Sequence, residues 1–146
     1  MVKQKVLFIC IHNSARSQMA EELLRKMAGD RFDVESAGLE PGVINPLVVK
    51  ALSEEGIDIS GKKTVSAFDL LKEGKFYTYV VTVCDEASAE SCPIFPGTRE
   101  RLHWGFPDPS TFTGSDEEKL DRIREIREAI KEKISGWLSE LDAGET

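Results

Sequence analysis

Residues 6–17 read VLFICIHNSARS, an apolar run that ends in a cysteine and is followed by a polar loop and an arginine. The run at residues 6–9 has the length and composition of a strand that is buried on both faces. An amphipathic pattern that predicts a helix begins just past Arg16, with apolar members Met19, Ala20, Leu23, Leu24, Met27 and Ala28. Cys10 and Arg16 therefore stand at the two ends of one short loop between a strand and a helix.

This loop has the residue types of an anion-binding nucleophile. It can curl so that successive backbone N–H groups point at one tetrahedral oxyanion, beside the positive end of the helix dipole. Arg16 can offer a planar fork to two oxygens of the anion. The same positive environment stabilises a thiolate at Cys10, the reactive form, and Ser17 can donate a hydroxyl to the sulfur. We expect the anion to be bound by residues of this loop, Ile11, His12, Asn13, Ser14, Ala15 and Arg16.

The alternative interpretation of this spacing is a buried cysteine at a strand end beside a surface arginine. Asn13 favours the curled loop, because Asn tolerates a left-handed backbone better than most residues. His12 could suggest acid–base catalysis. The loop amides must face the anion, however, so we interpret His12 as a residue on the loop surface.

The overall composition is typical of a soluble globular protein, and the length fits one domain, residues 1–146. A net charge of −7 argues against nucleic acid and anionic membranes as partners. No apolar run is long enough to cross a membrane, and Met1 leads directly into the first strand without a signal peptide. The three cysteines then indicate a reducing, cytoplasmic location and thiol chemistry rather than structural disulfides.

Strand and helix patterns alternate along the chain. Further strands are predicted at residues 32–37, 77–83 and 101–104. A helix is predicted from the Asn45-Pro46 start to Gly56, and a shorter one after Thr64 whose apolar members are Val65, Phe68, Leu70 and Leu71. A long helix from Ser115 to Leu141 opens with a capping box of Ser115 and Glu118. This order predicts an α/β fold with a four-stranded parallel sheet and helices on both faces.

Ligands of such sheets bind beyond the carboxyl ends of the strands, where the segment WGFPDP follows the fourth strand. Two prolines stiffen the chain around Asp108, which could protonate an oxygen that departs from the anion. The alternative is an ordinary turn aspartate. Beside an anion loop, we favour the general acid.

Cys84 follows the third strand, and Cys92 comes after it with seven residues between the two, in a polar segment without apolar periodicity. If these thiols lie near Cys10, they could pass a disulfide from one pair of cysteines to another by thiolate attack. The alternatives are a buried thiol at the strand end and an incidental loop cysteine. The spacing does not match a zinc site, and we interpret His103 as a packed or hydrogen-bonded residue rather than a catalyst.

Together these segments resemble the thioredoxin-coupled arsenate reductases of the low-molecular-weight tyrosine phosphatase superfamily. The resemblance runs from Val6 to about Leu141 and rests on CIHNSARSQMAE, SAG at residues 36–38, INP at 44–46, VVTVC ending at Cys84, CPIFPG at 92–97 and HWGFPDP at 103–109. It implies arsenate as substrate and thioredoxin as reductant. The roles that it implies are a nucleophile at Cys10, an oxyanion clamp at Arg16, a thiolate stabiliser at Ser17, a general acid at Asp108 and relay thiols at Cys84 and Cys92.

Two positions depart from the family pattern. The relay cysteines have one more residue between them than in the best-known members. Some members also bind potassium beside the loop through an Asn, a Glu, a Ser and an Asp. Asn13, Glu21 and Ser36 match, but Ser66 stands at the Asp position, so we expect no metal and no other cofactor.

The resulting hypothesis is a reductase that converts arsenate to arsenite through a relay of three cysteines. The alternative with the same loop is a phosphotyrosine phosphatase, which would leave Cys84 and Cys92 without a role. The phosphatases typically have a second loop cysteine, a proline after the loop serine and tyrosines near the acid loop. This chain has Ala15, Gln18, Ser110 and Phe112 at those places. A third possibility, a thiol sensor or anion-binding module without turnover, gives Asp108 no role.

Overall fold

The computed structural model describes residues 3–144. Its strands are β1 (Gln4–Cys10), β2 (Phe32–Gly38), β3 (Tyr79–Thr82) and β4 (Glu100–His103). Its helices are α1 (Arg16–Ala28), α2 (Pro46–Ser53), α3 (Ala67–Lys72), α4 (Glu86–Glu90) and α5 (Asp116–Gly144), with a 3₁₀ turn at Pro109–Thr111. Within residues 3–144, no helix is long and apolar enough to cross a membrane.

The four strands form one parallel sheet in the order β2-β1-β3-β4, as the alternating pattern predicts. β1 and β3 are the central pair, and from them the chain winds outward in opposite directions to β2 and β4. The carboxyl ends of β1 and β3 therefore flank the crevice at which such sheets bind ligands. Val83 N–H donates to the Ile9 carbonyl at 2.8 Å and keeps the two chains together just before Cys10 and Cys84.

β1 divides the core into two layers because its side chains alternate between the two faces of the sheet. We call the layer that contains Phe8 and Cys10 the α5 layer, since it is closed by α1, α2 and α5. The layer on the other face, which contains Leu7 and Ile9, is called the α3 layer because Ala67 and Leu70 of α3 close it. Helices thus cover both faces of the sheet.

The capping signals predict the starts of two helices correctly. The Asn45 side chain accepts the Leu47 N–H at 2.9 Å at the start of α2. Ser115 Oγ accepts the Glu118 N–H at 3.1 Å, and Glu118 Oε1 accepts the Ser115 N–H at 3.4 Å, which completes the predicted capping box before α5.

Other details differ from the sequence predictions. The third strand is shorter, and Tyr77 lies buried in the α3 layer just before it. The apolar face predicted for α3 is partly wrong, because Val65 and Phe68 are exposed while Leu70 packs inward. α3 has only six residues, so neighbouring loops rather than its periodicity decide which side chains are covered. Asp85 caps the short helix α4, which the polar sequence did not predict.

Candidate active site

The loop between β1 and α1 turns its carbonyl groups outward. Four of these carbonyls accept N–H groups from the following segments: Cys10 from Leu39 at 3.1 Å, Ile11 from Glu40 at 2.7 Å, His12 from Gly42 at 3.0 Å and Ser14 from Asn45 at 2.9 Å. The approach of the neighbouring backbone requires a glycine at position 38, where a Cβ would lie within 2.8 Å of three backbone atoms of the loop. The SAG motif is thus explained by close packing against the loop.

The N–H groups of the same loop are left for a ligand. Those of Ile11, His12, Ser14 and Ala15 donate to no acceptor within residues 3–144. Ala15 stands at the N-cap of α1 and offers no capping side chain, so the first turn of the helix also keeps its donors. Helix N-termini with free amides are ready-made sites for a tetrahedral anion.

Asn13 holds the loop together from its centre. Among the non-glycine residues of 3–144, Asn13 alone has a positive φ, 55°. The expected left-handed conformation is therefore confirmed. Its Oδ1 accepts the Val65 backbone N–H at 2.9 Å, which fixes the orientation of the amide. Its Nδ2 then donates to Ser17 Oγ at 2.7 Å and to Ser36 Oγ at 3.0 Å.

Cys10 is 2% exposed, and its sulfur lies at the bottom of the loop. Ser17 Oγ is 2.9 Å from Cys10 Sγ, and the Asn13 N–H donates to the sulfur at 3.2 Å. Because the Ser17 oxygen already accepts from Asn13, its own proton is available to the sulfur. Two hydrogen-bond donors are thus aimed at the sulfur from within the loop.

Arg16 and Asp108 come together above the loop although 92 positions separate them in sequence. Arg16 is 4% exposed, and its Nη1 donates to the Phe106 carbonyl at 3.2 Å. Its Nη2 lies 3.6 Å from Asp108 Oδ2. The other carboxylate oxygen of Asp108 accepts the Ser110 N–H at 2.9 Å, which leaves Oδ2 directed toward the loop. A guanidinium and a carboxyl group thus share the mouth of the anion loop.

The two remaining cysteines lie on opposite sides of the sheet, and all three thiols are free. Cys84 is fully buried in the α5 layer with Cys10. Burial raises the pKa of the Cys84 thiol to about 11, although the nearby Arg16 charge acts in the opposite direction. Cys92 is buried in the α3 layer, and burial raises its pKa as well, against the influence of Arg101. The structure therefore brings Cys84, but not Cys92, into the same layer as Cys10.

The two histidines lie as expected outside the loop interior. His12 is exposed, and its Nδ1 contacts the Glu40 carbonyl oxygen at 2.9 Å. His103 is hydrogen-bonded to Thr82 Oγ1 at 2.7 Å through Nδ1. Residues 3–144 contain no group of three or more His, Cys, Asp or Glu side chains that could hold a metal ion.

The potassium site of some family members does not fit the residues of this chain. Lys62 Nζ lies 2.7 Å from Glu21 Oε1, where an ammonium already supplies a positive charge. The Ser66 hydroxyl caps α3 by accepting the Asp69 N–H at 3.3 Å. A potassium ion would have to displace the lysine and would lack the fourth ligand.

Three residues support the loop through contacts that the sequence did not predict. Gln18 is fully buried, and its Nε2 donates to the Asn13 carbonyl oxygen at 3.1 Å and to Asn13 Oδ1 at 3.0 Å. Glu21 and Lys62 form the ion pair just described. A polar residue on the inner face of an otherwise apolar helix is the signal that could have revealed Gln18 and Glu21. Lys62 lies in a loop and offers no such signal.

Comparison with known proteins agrees with this geometry. Residues 5–146 match the family described as low molecular weight phosphotyrosine protein phosphatase. The chain belongs to this family. Within it, the chain is 46% identical to an arsenate reductase of Halalkalibacterium halodurans over 136 residues, which span 92% of this chain and 94% of the relative.

Solved structures of the family have the same fold. An arsenate reductase in its phosphate-binding state superposes with a TM-score of 0.72 and 27% identity, covering 94% of this chain and 98% of that one. A thioredoxin-dependent arsenate reductase of Corynebacterium glutamicum gives a TM-score of 0.60 and 32% identity. That match covers 91% of this chain and 62% of the relative. The expected fold and family resemblance are therefore confirmed.

Proposed function

We propose that this protein is an arsenate reductase that reduces arsenate to arsenite through Cys10, Cys84 and Cys92 and is regenerated by thioredoxin in the cytoplasm. The observation that carries the proposal is a second thiol, Cys84, buried in the same layer as the nucleophile of an anion loop. A hydrolase with this loop would not need that thiol. Similarity to arsenate reductases over nearly the whole chain supports the same substrate.

In the first step, the Cys10 thiolate attacks the arsenic atom of arsenate. The free N–H groups of the loop and the Arg16 guanidinium neutralise the charge on the oxyanion. A hydroxyl group of the protonated arsenate takes a proton from Asp108, whose Oδ2 is directed toward the loop, and leaves as water. The product is a covalent bond between Cys10 Sγ and arsenic(V), with two electrons still to be transferred.

In the second step, the Cys84 thiolate attacks the sulfur of Cys10. A Cys10–Cys84 disulfide forms, the sulfur–arsenic bond breaks, and its electron pair stays with arsenic. Arsenic(V) thereby becomes arsenic(III) and leaves as arsenite. The two sulfur atoms together lose the two electrons that arsenic gains.

In the third step, the Cys92 thiolate attacks Cys84, so that Cys10 is released as a thiolate. Cys92 lies in the α3 layer, and the sheet separates it from the α5 layer. The exchange therefore requires the segment around α4 to rearrange. α4 has only five residues, and a helix of this length has little intrinsic stability against unwinding. A dithiol protein, thioredoxin in this proposal, then reduces the Cys84–Cys92 disulfide.

The competing candidate is phosphotyrosine hydrolysis, which the family description favours. It would use Cys10, Arg16 and Asp108 in the same positions, with water resolving the phosphocysteine. Ala15 replaces the second loop cysteine of the phosphatases, and Phe112 is 9% exposed, so it offers little surface to an aromatic substrate. A weak aryl phosphatase side activity is consistent with the shared loop.

Three cysteine variants separate the two functions. Cys10→Ser should lose both arsenate reduction and aryl phosphate hydrolysis. Cys84→Ser should accumulate the Cys10 adduct and release no arsenite, while any hydrolysis survives because water still resolves phosphocysteine. Cys92→Ser should release about one arsenite per enzyme and stop as the Cys10–Cys84 disulfide, because the final exchange is missing.

The measurement is mass spectrometry of the quenched variants with arsenite counted in parallel. The wild-type protein with thioredoxin and its reductase is the control for full turnover. Normal turnover of arsenate by both Cys84→Ser and Cys92→Ser would exclude the relay and leave the phosphatase as the better explanation.

A further inference from the structure

A buried carboxylate lies beneath the anion loop and is connected to it by hydrogen bonds. Glu21 on α1 is 5% exposed, and its Oε1 accepts the Ser36 hydroxyl at 2.5 Å. Ser36 Oγ in turn accepts Asn13 Nδ2 at 3.0 Å. A continuous chain of contacts therefore runs from Glu21 to the residue that shapes the loop.

Two groups set the directions of the hydrogen bonds in this chain. The Glu21 carboxylate sets that of Ser36, and the Asn13 amide, whose Oδ1 accepts the Val65 N–H, sets that of Ser17. A carboxylate can only accept, so the Ser36 proton must point toward Glu21 and the Ser36 oxygen toward Asn13. The Asn13 amide then donates to both serines, and Ser17 is free to donate its proton to Cys10 Sγ. Ser36 therefore links the position of Glu21 to that of the Asn13 amide, and the Asn13 amide holds the Ser17 hydroxyl that faces Cys10.

Two cations hold Glu21, each at a different oxygen. Arg25 Nη2 lies 2.5 Å from Oε2, whereas Lys62 Nζ lies 2.7 Å from Oε1, the oxygen that accepts Ser36. Lys62 also contacts Glu22 Oε1 at 2.9 Å. Its side chain is 25% exposed and reaches α1 from the loop before α3. A buried carboxylate needs such compensation, because its charge is costly to remove from water.

We propose that Lys62 is a positioning residue for Cys10, because its ammonium holds the Glu21 side chain in place against Ser36 and thereby supports the Ser36, Asn13 and Ser17 contacts of the anion loop. The lysine acts as a tethered cation at the place where a metal ion would otherwise have to bind. This proposal deepens the proposed function and rests on it, since it concerns the loop that binds the anion.

The test uses the full-length chain with Cys84 and Cys92 replaced by serine, so that Cys10 is the reacting thiol. The variants are Lys62→Met, which removes the charge, Lys62→Arg, which keeps it, and Glu21→Gln. Lys63→Met is the matched control, because Lys63 is an adjacent exposed lysine that forms no ion pair within residues 3–144. The probes are inorganic phosphate, titrated by calorimetry, and iodoacetamide, whose reaction with Cys10 is followed by mass spectrometry.

We expect Lys62→Met and Glu21→Gln to weaken phosphate binding by about tenfold and to slow the alkylation of Cys10 by a similar factor, as effects transmitted through such networks do. Lys62→Arg and Lys63→Met should behave like the parent protein. The parent protein should bind phosphate equally well in NaCl and in KCl of the same ionic strength.

Alkylation also separates positioning from simple destabilisation. A loosened loop would expose Cys10 and make it react faster, whereas a shift of Asn13 and Ser17 away from the still-buried sulfur makes it react more slowly. Unchanged or faster alkylation in Lys62→Met would overturn the proposal, and so would equal losses in Lys62→Met and Lys63→Met or a specific need of the parent protein for potassium. Failure of the parent protein itself to bind phosphate would instead refute the anion loop on which the proposal rests.

Discussion

The pH dependence of a single turnover tests the burial of Cys84 in the proposed relay. In a Cys92→Ser variant the enzyme should stop after one arsenite, so the rate of that single release reports the attack of Cys84 on Cys10. The attacking species is the thiolate, and burial raises the pKa of this thiol to about 11 from an ordinary 9.0.

The raised and the ordinary pKa of Cys84 predict different increases of the arsenite release rate with pH. The difference between them corresponds to about 3 kcal/mol of extra cost for the thiolate. With a pKa of about 11, the thiolate fraction rises roughly 90-fold between pH 8 and pH 10, because the group stays mostly protonated throughout. A thiol with the ordinary value would gain only about tenfold over the same range and would level off above pH 9.

The assay is rapid quenching of Cys92→Ser mixed with excess arsenate, with arsenite counted at each time. Adduct formation in Cys84→Ser over the same pH range is the control, since it contains every pH effect except that of the Cys84 thiol. A release rate that levels off near pH 9, after correction by this control, would refute the argument that burial suppresses the Cys84 thiolate.

Three further substitutions test the loop, the acid and the fold. Arg16→Lys should lower kcat/KM for arsenate by roughly 10²-fold, because a point charge cannot replace the planar fork. A near-normal kcat/KM in steady-state kinetics would show that Arg16 does not act as the oxyanion clamp. Asp108→Asn should slow adduct formation by roughly 10²- to 10⁴-fold, as the loss of a general acid does. If single-turnover mixing shows no change, Asp108 is an ordinary turn residue. Ser115→Ala should lower the free energy of unfolding by about 1 kcal/mol, because the capping box before α5 is lost. Urea titration measures this change, and an unaltered midpoint would show that Ser115 does not stabilise the helix.

Local patterns in the sequence were sufficient to predict the strand and the helix starts that position the site. The buried run at residues 6–9, the Asn45 cap and the Ser115–Glu118 capping box each predict their element because the decisive contacts lie within a few residues. The exposed side of α3 and the helix α4 were not predicted, because short elements depend on what the neighbouring chain covers.

The sequence by itself determined the parallel sheet and the order of Cys10, Arg16 and Ser17 in a strand–loop–helix unit, since these follow from periodicity and chain geometry. Only the tertiary structure decided that Cys92 is buried on the opposite face of the sheet from Cys10 and Cys84. Which layer receives a loop side chain depends on packing between segments distant in sequence. For the same reason, the contact between Lys62 and Glu21 could not be inferred from either residue's neighbours.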